Sequence, residues 1–312
     1  MNTTRTCAQV RRVPRYLAKA VALALTFVSL TTASGQTIPA THGQGVVPVF
    51  DGWMENPDGT FDMILGYMNL NSEEVVDIPI GPDNNIELGG PDYGQPTHFF
   101  SRRNLYVFRV RVPKDFGQKE LVWTLKAHGK TARAYATLKP DYVIDNRTMM
   151  ANIGAFGGLG QRLGHPENIG PTVRVQGDTH RTVKVGEPLT LTAFASDDGY
   201  PYGGLGGAID IGLVVNWYVY RGTGKVAFDP EQSAPALTAL RSRERGSGSS
   251  GIRPESSRSR SPTPIPVVDR MGSVKVTFSE PGTYILQVMA HDGGLGASQN
   301  VTVNVRPADG SR

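Results

Sequence analysis

The sequence predicts an all-β protein made of two antiparallel β-sandwiches joined by a glycine-rich linker. Three observations indicate this class. The 37 Gly and 22 Pro residues among 312 would interrupt long helices about once every five positions. Apolar and polar side chains alternate in short runs, as in sheets with one buried face. No run with the helical period is long enough for a helix of about 12 residues.

Residues 1–35 have the three-part pattern of a secretory signal peptide. Five cations and no acid precede the apolar run at 20–33, and small residues follow this run up to Gly35. The alternative is a membrane anchor, but about fourteen residues rise only about 21 Å as a helix, less than the roughly 30 Å hydrocarbon core. We therefore expect export with cleavage before Gln36 and no membrane span afterwards.

The charge of the chain depends on this leader. The leader holds five of the 32 Lys and Arg residues, so the remaining 27 face 28 Asp and Glu, and the formal charge falls from +4 to -1. No nucleic-acid partner is therefore expected. The single cysteine, Cys7, lies in the leader, so the exported chain has no disulfide. A cysteine-free exported chain of this size is typical of a bacterial envelope or extracellular protein.

The first predicted domain covers residues 46–143. Its opening strands flank Asn-Pro-Asp-Gly at 56–59, a turn sequence that predicts a hairpin. A long loop at 81–101 is predicted to be either functional or held against the surface. The predicted strands are 47–55, 61–71, 75–80 and three alternating runs around Phe108, Trp123 and Ala134.

A glycine-rich segment at 144–170 is predicted as a flexible linker to the second domain, residues 171–306. The second domain contains alternating strands whose inward residues include Leu191, Trp217, Val276, Leu286 and Val303. Between Trp217 and Val276 lies a segment at 233–262, rich in Ser, Gly, Pro and Arg, that predicts a disordered insertion. The segment could be a basic arm that binds acidic polysaccharide or nucleic acid. We favour a surface insertion without a function, because lengthening a loop costs little closure entropy.

Several motifs in the second domain carry a family resemblance. They are Val-Gly-Glu-Pro-Leu at 185–189, Ser-Asp-Asp-Gly at 196–199, Trp217, Pro-Gly-Thr-Tyr at 281–284 and His-Asp-Gly at 291–293. With these, the domain resembles the immunoglobulin-like sandwiches of bacterial exported proteins, especially modules of the PKD (polycystic kidney disease) type. The resemblance implies that Trp217 is a central-strand core tryptophan and Tyr284 a corner tyrosine, with aliphatic packing in place of the cystine. It implies no activity.

The first domain carries a second resemblance, on five short motifs. They are Phe-Asp-Gly-Trp at 50–53, Gly-Tyr-Met-Asn at 66–69, Gly-Pro-Asp-Asn-Asn at 81–85, Gly-Gln-Pro-Thr-His-Phe at 94–99 and Val-Pro-Lys-Asp-Phe-Gly at 112–117. The domain resembles a family of uncharacterised exported proteins from environmental bacteria. This resemblance implies co-occurrence with an immunoglobulin-like second half, and it supplies no activity. We expect both sandwiches to be immunoglobulin-like.

Three carboxylates form a candidate calcium site: Asp197, Asp198 and Asp292. They follow two predicted strands that would share one end of the second sandwich, and calcium takes six to eight oxygen ligands. The favoured alternative is that these residues form turns, because Asp-Gly is ordinary turn chemistry. No other cofactor is expected.

The loop at 81–101 has the richest set of side chains able to contact a polar ligand. The candidate ligand-binding residues are Asp83, Asn84, Asn85, Tyr93, Gln95 and His98. Amides and carboxylates beside aromatic faces suit sugar rings. The favoured alternative is that Asn and Asp cap turns while Phe99 and Phe100 cover the end of the sandwich.

A third candidate surface is one basic outer face that would attract polyanions. Its members would be Arg109, Arg111, Lys126, His128, Arg133 and Lys139. The favoured alternative is an ordinary solvated sheet face that discourages edge pairing.

No catalytic motif is evident. The six histidines form no i, i+4 pair, and neither a Gly-x-Ser-x-Gly elbow nor a P-loop is present. A site assembled from distant loops stays open. The sequence therefore predicts a secreted or periplasmic, non-enzymatic binding or structural module, whose partner is an extracellular or envelope protein or a polysaccharide. The alternatives are an accessory carbohydrate-recognition protein using the 81–100 loop and, third, a hydrolase of unknown class.

Overall fold

The structure is a computed structural model, and it describes residues 40–88, 90–152, 167–200, 213–232 and 266–308. The predicted signal peptide at 1–35, the predicted insertion at 233–262 and residues 153–166 of the predicted linker lie outside the described residues. The described part of the chain is nearly all β and belongs to one compact unit. The all-β prediction is therefore confirmed.

Eight strands form the first sandwich. They are β1 (Val46–Glu55), β2 (Phe61–Asn69), β3 (Val76–Asp77), β4 (Asn84–Glu87), β5 (His98–Phe99), β6 (Arg102–Val112), β7 (Leu121–Ala127) and β8 (Lys130–Ala136). One sheet has the order β1-β2-β6, the other has the order β4-β7-β8, and β3 pairs with β5 in a separate ribbon. A single core of buried side chains lies between the sheets, with Trp123 at its centre and fully buried.

The predicted hairpin at the start of the chain is confirmed. Strands β1 and β2 pair antiparallel, with Glu55 opposite Phe61. Gly59 adopts a φ of +79°, which costs glycine little, and its N–H donates to the carbonyl of Asn56 at 2.8 Å. The strand predicted at 75–80 is shorter, because only Val76 and Asp77 pair with β5 and Pro79 offers no N–H.

Alternation in β6 to β8 is confirmed by burial. Phe108, Val110 and Val112 are buried, whereas Arg109 and Arg111 are exposed. Tyr106 departs from the predicted pattern. Its φ is +54°, and it packs on a separate apolar cluster instead of the main core.

Eight further strands form the second sandwich. They are β9 (Thr172–Val175), β10 (His180–Lys184), β11 (Leu189–Asp197), β12 (Val214–Arg221), β13 (Val226–Asp229), β14 (Val267–Phe278), β15 (Gly282–His291) and β16 (Gly296–Arg306). The sheet orders are β13-β14-β11-β9 and β10-β16-β15-β12, and every pair is antiparallel except β10 with β16. This is the ABED and CFG arrangement of an immunoglobulin-like sandwich, with the first strand divided between the sheets.

The core of the second sandwich has the two aromatic residues that the sequence predicts. Trp217 and Tyr284 are each 1% exposed, and the Tyr284 hydroxyl donates to the carbonyl of Glu280 at 3.0 Å, as in a tyrosine corner. Leu191 and Leu286 are buried in the same core. The placement of Trp217 in a central strand is wrong, because β12 is at the edge of its sheet. The indole still reaches the core, since its Nε1 donates across the sandwich to the Gly272 carbonyl at 3.3 Å.

One short helix, α1 (Asn146–Asn152), lies within the segment predicted as linker. Asp145 caps it, because its Oδ1 accepts the Thr148 N–H at 2.7 Å. Met149 and Met150 are buried in a cluster with Ile64 of β2 and Leu295 of the β15–β16 turn. The helix therefore contacts both sandwiches.

Candidate functional site

A segment of the predicted loop, residues 92–97, packs on the edge of β12 opposite β15, and we call it the docking segment. The Arg221 guanidinium donates two hydrogen bonds to Asp92, at 2.9 and 2.8 Å, and its Nε donates to the Gln95 carbonyl at 2.8 Å. The Tyr220 hydroxyl donates to the Gly94 carbonyl at 2.5 Å, and the Thr97 N–H donates to the Tyr220 carbonyl at 3.2 Å. These bonds join the two sandwiches directly.

The face of β12 that the alternation predicts as outward is buried by this contact. Tyr218 and Tyr220 are 6% and 3% exposed. Burial raises the pKa of both phenols, so each stays protonated and acts as a hydrogen-bond donor. The Phe100 ring packs edge-on against Tyr218, with ring centroids 5.8 Å apart.

Two of the six predicted ligand-binding residues use their side-chain amides for hydrogen bonds within the protein. Asn84 is buried, donates to the carbonyls of Ile78 and Pro96, and accepts the Trp123 indole N–H at 3.0 Å. Gln95 is buried, donates to the Pro91 carbonyl at 2.6 Å, and accepts the Tyr93 N–H at 2.8 Å. Both amides support the loop, as the structural alternative predicts.

The other four predicted residues are not gathered at one place. Asp83 is exposed, with its carboxylate 3.5 Å from Lys126 Nζ, and Asn85 is half-buried in β4. Tyr93 is half-buried against the first core. Of the six, only His98 lies in the groove described next.

A groove of about 840 Å³ lies between the two sandwiches, beside the docking segment. His98, Asp77 and Phe100 form the wall contributed by the first sandwich. The second sandwich contributes Trp217, Tyr218 and Val219 of β12, together with Thr223–Phe228, Glu231, Gln232 and Glu280. Its volume falls within the range of small-molecule sites.

The most defined polar pair of the groove is His98 with Asp77. Their Nδ1 and Oδ1 atoms lie 2.6 Å apart, and the two side chains are 19% and 41% exposed. The imidazole also packs edge-on against the Phe100 ring at 4.9 Å. The carboxylate and the ring together hold the orientation of the imidazole at the mouth of the groove.

The main chain of β12 faces the groove along a short stretch. The Trp217 N–H points away from β15, because it donates to Gln232 Oε1 at 3.1 Å. Residues two apart in an antiparallel strand direct their polar groups to the same edge, so those of Val219 also face the groove. At the other end, the docking segment occupies the Tyr220 carbonyl.

The three candidate calcium ligands accept N–H donors. Asp292 Oδ1 accepts the N–H groups of Gly294 and Leu295, each at 2.6 Å, and its Oδ2 accepts Asn168 Nδ2 at 3.0 Å. Asp198 accepts the Ile169 N–H at 2.8 Å, and Asp197 accepts the Gly199 N–H at 2.9 Å. In the described part of the chain, no group of three or more acidic, His or Cys side chains is placed to hold a metal ion. The bonds of Asp197 and Asp292 to the N–H groups that follow them are those of turns, and Asp198 and Asp292 also bind residues 168–169. Calcium stays an untested prediction.

Two neighbouring residues at this end of the sandwich have shifted pKa values in opposite directions. Burial raises the pKa of Asp292 to about 6 and lowers the pKa of His291 to about 4. His291 Nδ1 accepts the Gly293 N–H at 2.8 Å, which places the proton of the neutral ring on Nε2.

The predicted basic outer face is wrong. Arg109 and Arg111 belong to β6 in one sheet, while the other members lie on or near β7 and β8 in the opposite sheet. Acids also offset several of these charges: Arg111 lies 3.1 Å from Asp62, and His128 lies 3.0 Å from Glu74.

The sequence pointed to the loop residues Asp92 and His98 but did not identify Arg221 of the interface or Glu231 of the groove. One signal was present, since two tyrosines and an arginine at 218–221 are unusual on a face that only meets water.

No protein-family profile and no curated protein sequence matches the chain. Among solved structures, fibronectin(III)-like modules of Clostridium thermocellum CbhA are 13% identical, covering 80% of this chain and 88% of theirs, with a TM-score of 0.23. Domains 4 and 5 of the S-layer protein SbsC are 14% identical over 84% and 92%, with a TM-score of 0.23. Sidekick-1 immunoglobulin domains 1–5 are 11% identical over 84% and 39%, with a TM-score of 0.22. TM-scores of this size support no inference about function.

Among the described residues, no helix is both long enough and apolar enough to span a membrane.

Proposed function

We propose that the protein is a secreted or periplasmic, non-enzymatic binding module that binds its ligand in the groove between the sandwiches. The observation that carries this proposal is the groove itself, where half-buried aromatic rings lie beside the Asp77–His98 pair. A concave site with apolar walls and a few placed polar groups is the usual form of a ligand site. The leader pattern at 1–35 supports export, and the PKD-type resemblance supports a bacterial source.

A polysaccharide is the partner that the groove favours over an envelope protein. Sugar rings present apolar faces for Phe100 and hydroxyl edges for His98, Asp77 and Gln232.

The test is a panel of polysaccharides added to the purified protein, with intrinsic fluorescence and melting temperature as readouts. At least one neutral or charged glycan should quench fluorescence or raise the melting temperature. Phe100→Ala should remove that response, whereas Tyr135→Ala, at an exposed position on the first sandwich, should keep it. A response that survives Phe100→Ala would place binding elsewhere.

A purely structural role is the second candidate, and the docking segment favours it. Arg221 and Tyr220 hold the sandwiches together through polar bonds, as a rigid spacer requires. A panel without any response would favour this role.

A further inference from the structure

The rim of the groove carries an excess of negative charge. Asp77, Glu231 and Glu280 contribute carboxylates, while Lys225 contributes the one ammonium group among the described lining residues. Glu231 and Glu280 are exposed. Low-dielectric walls on both sides focus the field of these carboxylates into the groove.

Among the described residues, the unpaired part of the β12 edge opposite β15 is too short for an extended peptide to add as a strand. At one end the Trp217 N–H donates to Gln232 Oε1, and at the other end the Tyr220 carbonyl accepts the Thr97 N–H. The intervening residues therefore offer about one hydrogen-bonded pair, whereas strand addition takes its affinity from a longer ladder. Val219 instead presents one donor and one acceptor, which suit the hydroxyl or amine edge of a ring.

Half-buried rings complete the lining. Phe100 on the first sandwich and Phe228 on the second are each partly open to solvent. An apolar face next to carboxylates suits a ring that has an apolar face and a cationic substituent, because the ring also attracts the cation.

We propose that the groove selects an oligosaccharide that carries protonated amino groups, such as a glucosamine polymer. The inference deepens the proposed binding function and rests on it. The carboxylates of Glu231 and Glu280 pair with the amines, and Phe100 packs against a sugar ring.

The test is calorimetric titration of the purified protein with oligomers of glucosamine, N-acetylglucosamine and glucose of equal length. The glucosamine oligomer should bind about tenfold more tightly than the acetylated one, because acetylation removes the charge. This preference should shrink as salt is added, since exposed ion pairs are screened.

Matched variants separate charge from shape. The double variant Glu231→Gln with Glu280→Gln should weaken glucosamine binding about fivefold and leave binding of the acetylated oligomer unchanged. Glu120→Gln with Glu187→Gln changes the net charge equally at exposed positions outside the groove, and it should have no effect beyond a small uniform one. All four glutamates are exposed, so the variants should keep their melting temperature.

The outcomes distinguish this inference from the proposed function. Equal binding of glucosamine and N-acetylglucosamine oligomers would overturn the charge selection and leave glycan binding intact. Absence of binding to all three sugars would overturn the amino-sugar assignment, whereas only a polysaccharide panel without any response would overturn glycan binding itself. An oligolysine peptide that binds more tightly than the glucosamine oligomer, and still does so after Phe100→Ala, would identify a cationic-peptide site and overturn the sugar assignment.

Discussion

Gly66 makes room for a largely buried charged pair on the face of β2 opposite the first core. Arg103 and Asp51 pair there, with side chains 19% and 4% exposed, and Asp51 also accepts the Tyr106 N–H at 2.8 Å. Burial raises the pKa of Asp51 although Arg103 opposes that change. A Cβ on Gly66 would lie 2.6 Å from Asp51 Oδ2 and closer still to the Asn104 carbonyl. Glycine is required here by lack of space, because the pair and the backbone already fill the site.

Gly66→Ala should therefore lower the free energy of unfolding by about 1–3 kcal/mol, the range measured for overpacked sites. Urea denaturation measures the change. Gly90→Ala is the control, because a Cβ there would meet only the Tyr93 hydroxyl, at 4.0 Å, and its stability should match the wild type. Equal stability of both variants would show that the Gly66 site can relax.

His291 and Asp292 make opposite contributions to the pH dependence of stability. The native pKa of Asp292 is raised to about 6, so the native state takes up the proton before the unfolded state does. The free energy of unfolding therefore rises as the pH falls below about 6. The native pKa of His291 is lowered to about 4, so stability is lost as the pH falls from its ordinary value of 6.5 toward 4. Between pH 4 and 6 the two contributions oppose each other.

Asp292→Asn should make the protein more sensitive to acid. The variant keeps an acceptor for Gly294 and Leu295, and its new amide can donate to Asn168 Oδ1, which has no partner among the described residues. Because asparagine does not titrate, the variant lacks the rise in stability that offsets the effect of His291. Its free energy of unfolding should fall by about 3 kcal/mol more than that of the wild type between pH 6 and 4. Urea denaturation at several pH values measures this, and parallel curves would contradict the pairing of effects.

At the scale of the strands, the alternation of apolar and polar residues predicted which side chains are buried. The inward residues of β11, β14, β15 and β16 are all buried where the period of two places them, apart from the half-buried Leu189 at the start of β11. Short strands were harder to predict. Strands β4 and β5 lie in a stretch predicted as loop, because four and two residues are too few to establish a period.

Trp217 belongs to this scale because it joins the two sheets of the second sandwich. Trp217→Ala should cost about 3–5 kcal/mol, since the cavity cannot close fully and the bond to Gly272 is lost. The free energy of unfolding in urea is the measurement, with Tyr135→Ala as an exposed aromatic control that should change it by less than about 0.5 kcal/mol. An unchanged melting temperature would contradict the core position of Trp217.

For the whole molecule, the contact between the docking segment and β12 joins the sandwiches into one body, together with the contacts of α1. Arg221 is largely buried, with its side chain 16% exposed, and it makes three hydrogen bonds to the first sandwich. Its bonds hold the pKa of Asp92 below the ordinary value. The contribution of this pair is therefore present at neutral pH and lost as the pH falls through the lowered pKa.

Arg221→Ala should weaken the contact by about 2 kcal/mol, because charge-assisted hydrogen bonds are lost. In calorimetry, the wild type should unfold in a single transition and the variant in two. Arg174→Ala is the control, since it removes an exposed pair with Asp269 inside the second sandwich and should leave one transition. Two transitions in the wild type would show that the sandwiches unfold independently.

The sequence alone determined the all-β class, the opening hairpin and two cores without a disulfide, because strand alternation and turn residues are local properties. Tertiary structure alone decided that Tyr218 and Tyr220 are buried, that Asn84 and Gln95 support the loop, and that a groove forms beside His98. The physical reason is that alternation distinguishes only the two faces of a strand. A face covered by another domain has the same period as one covered by water, so only the packing of the sandwiches separates them.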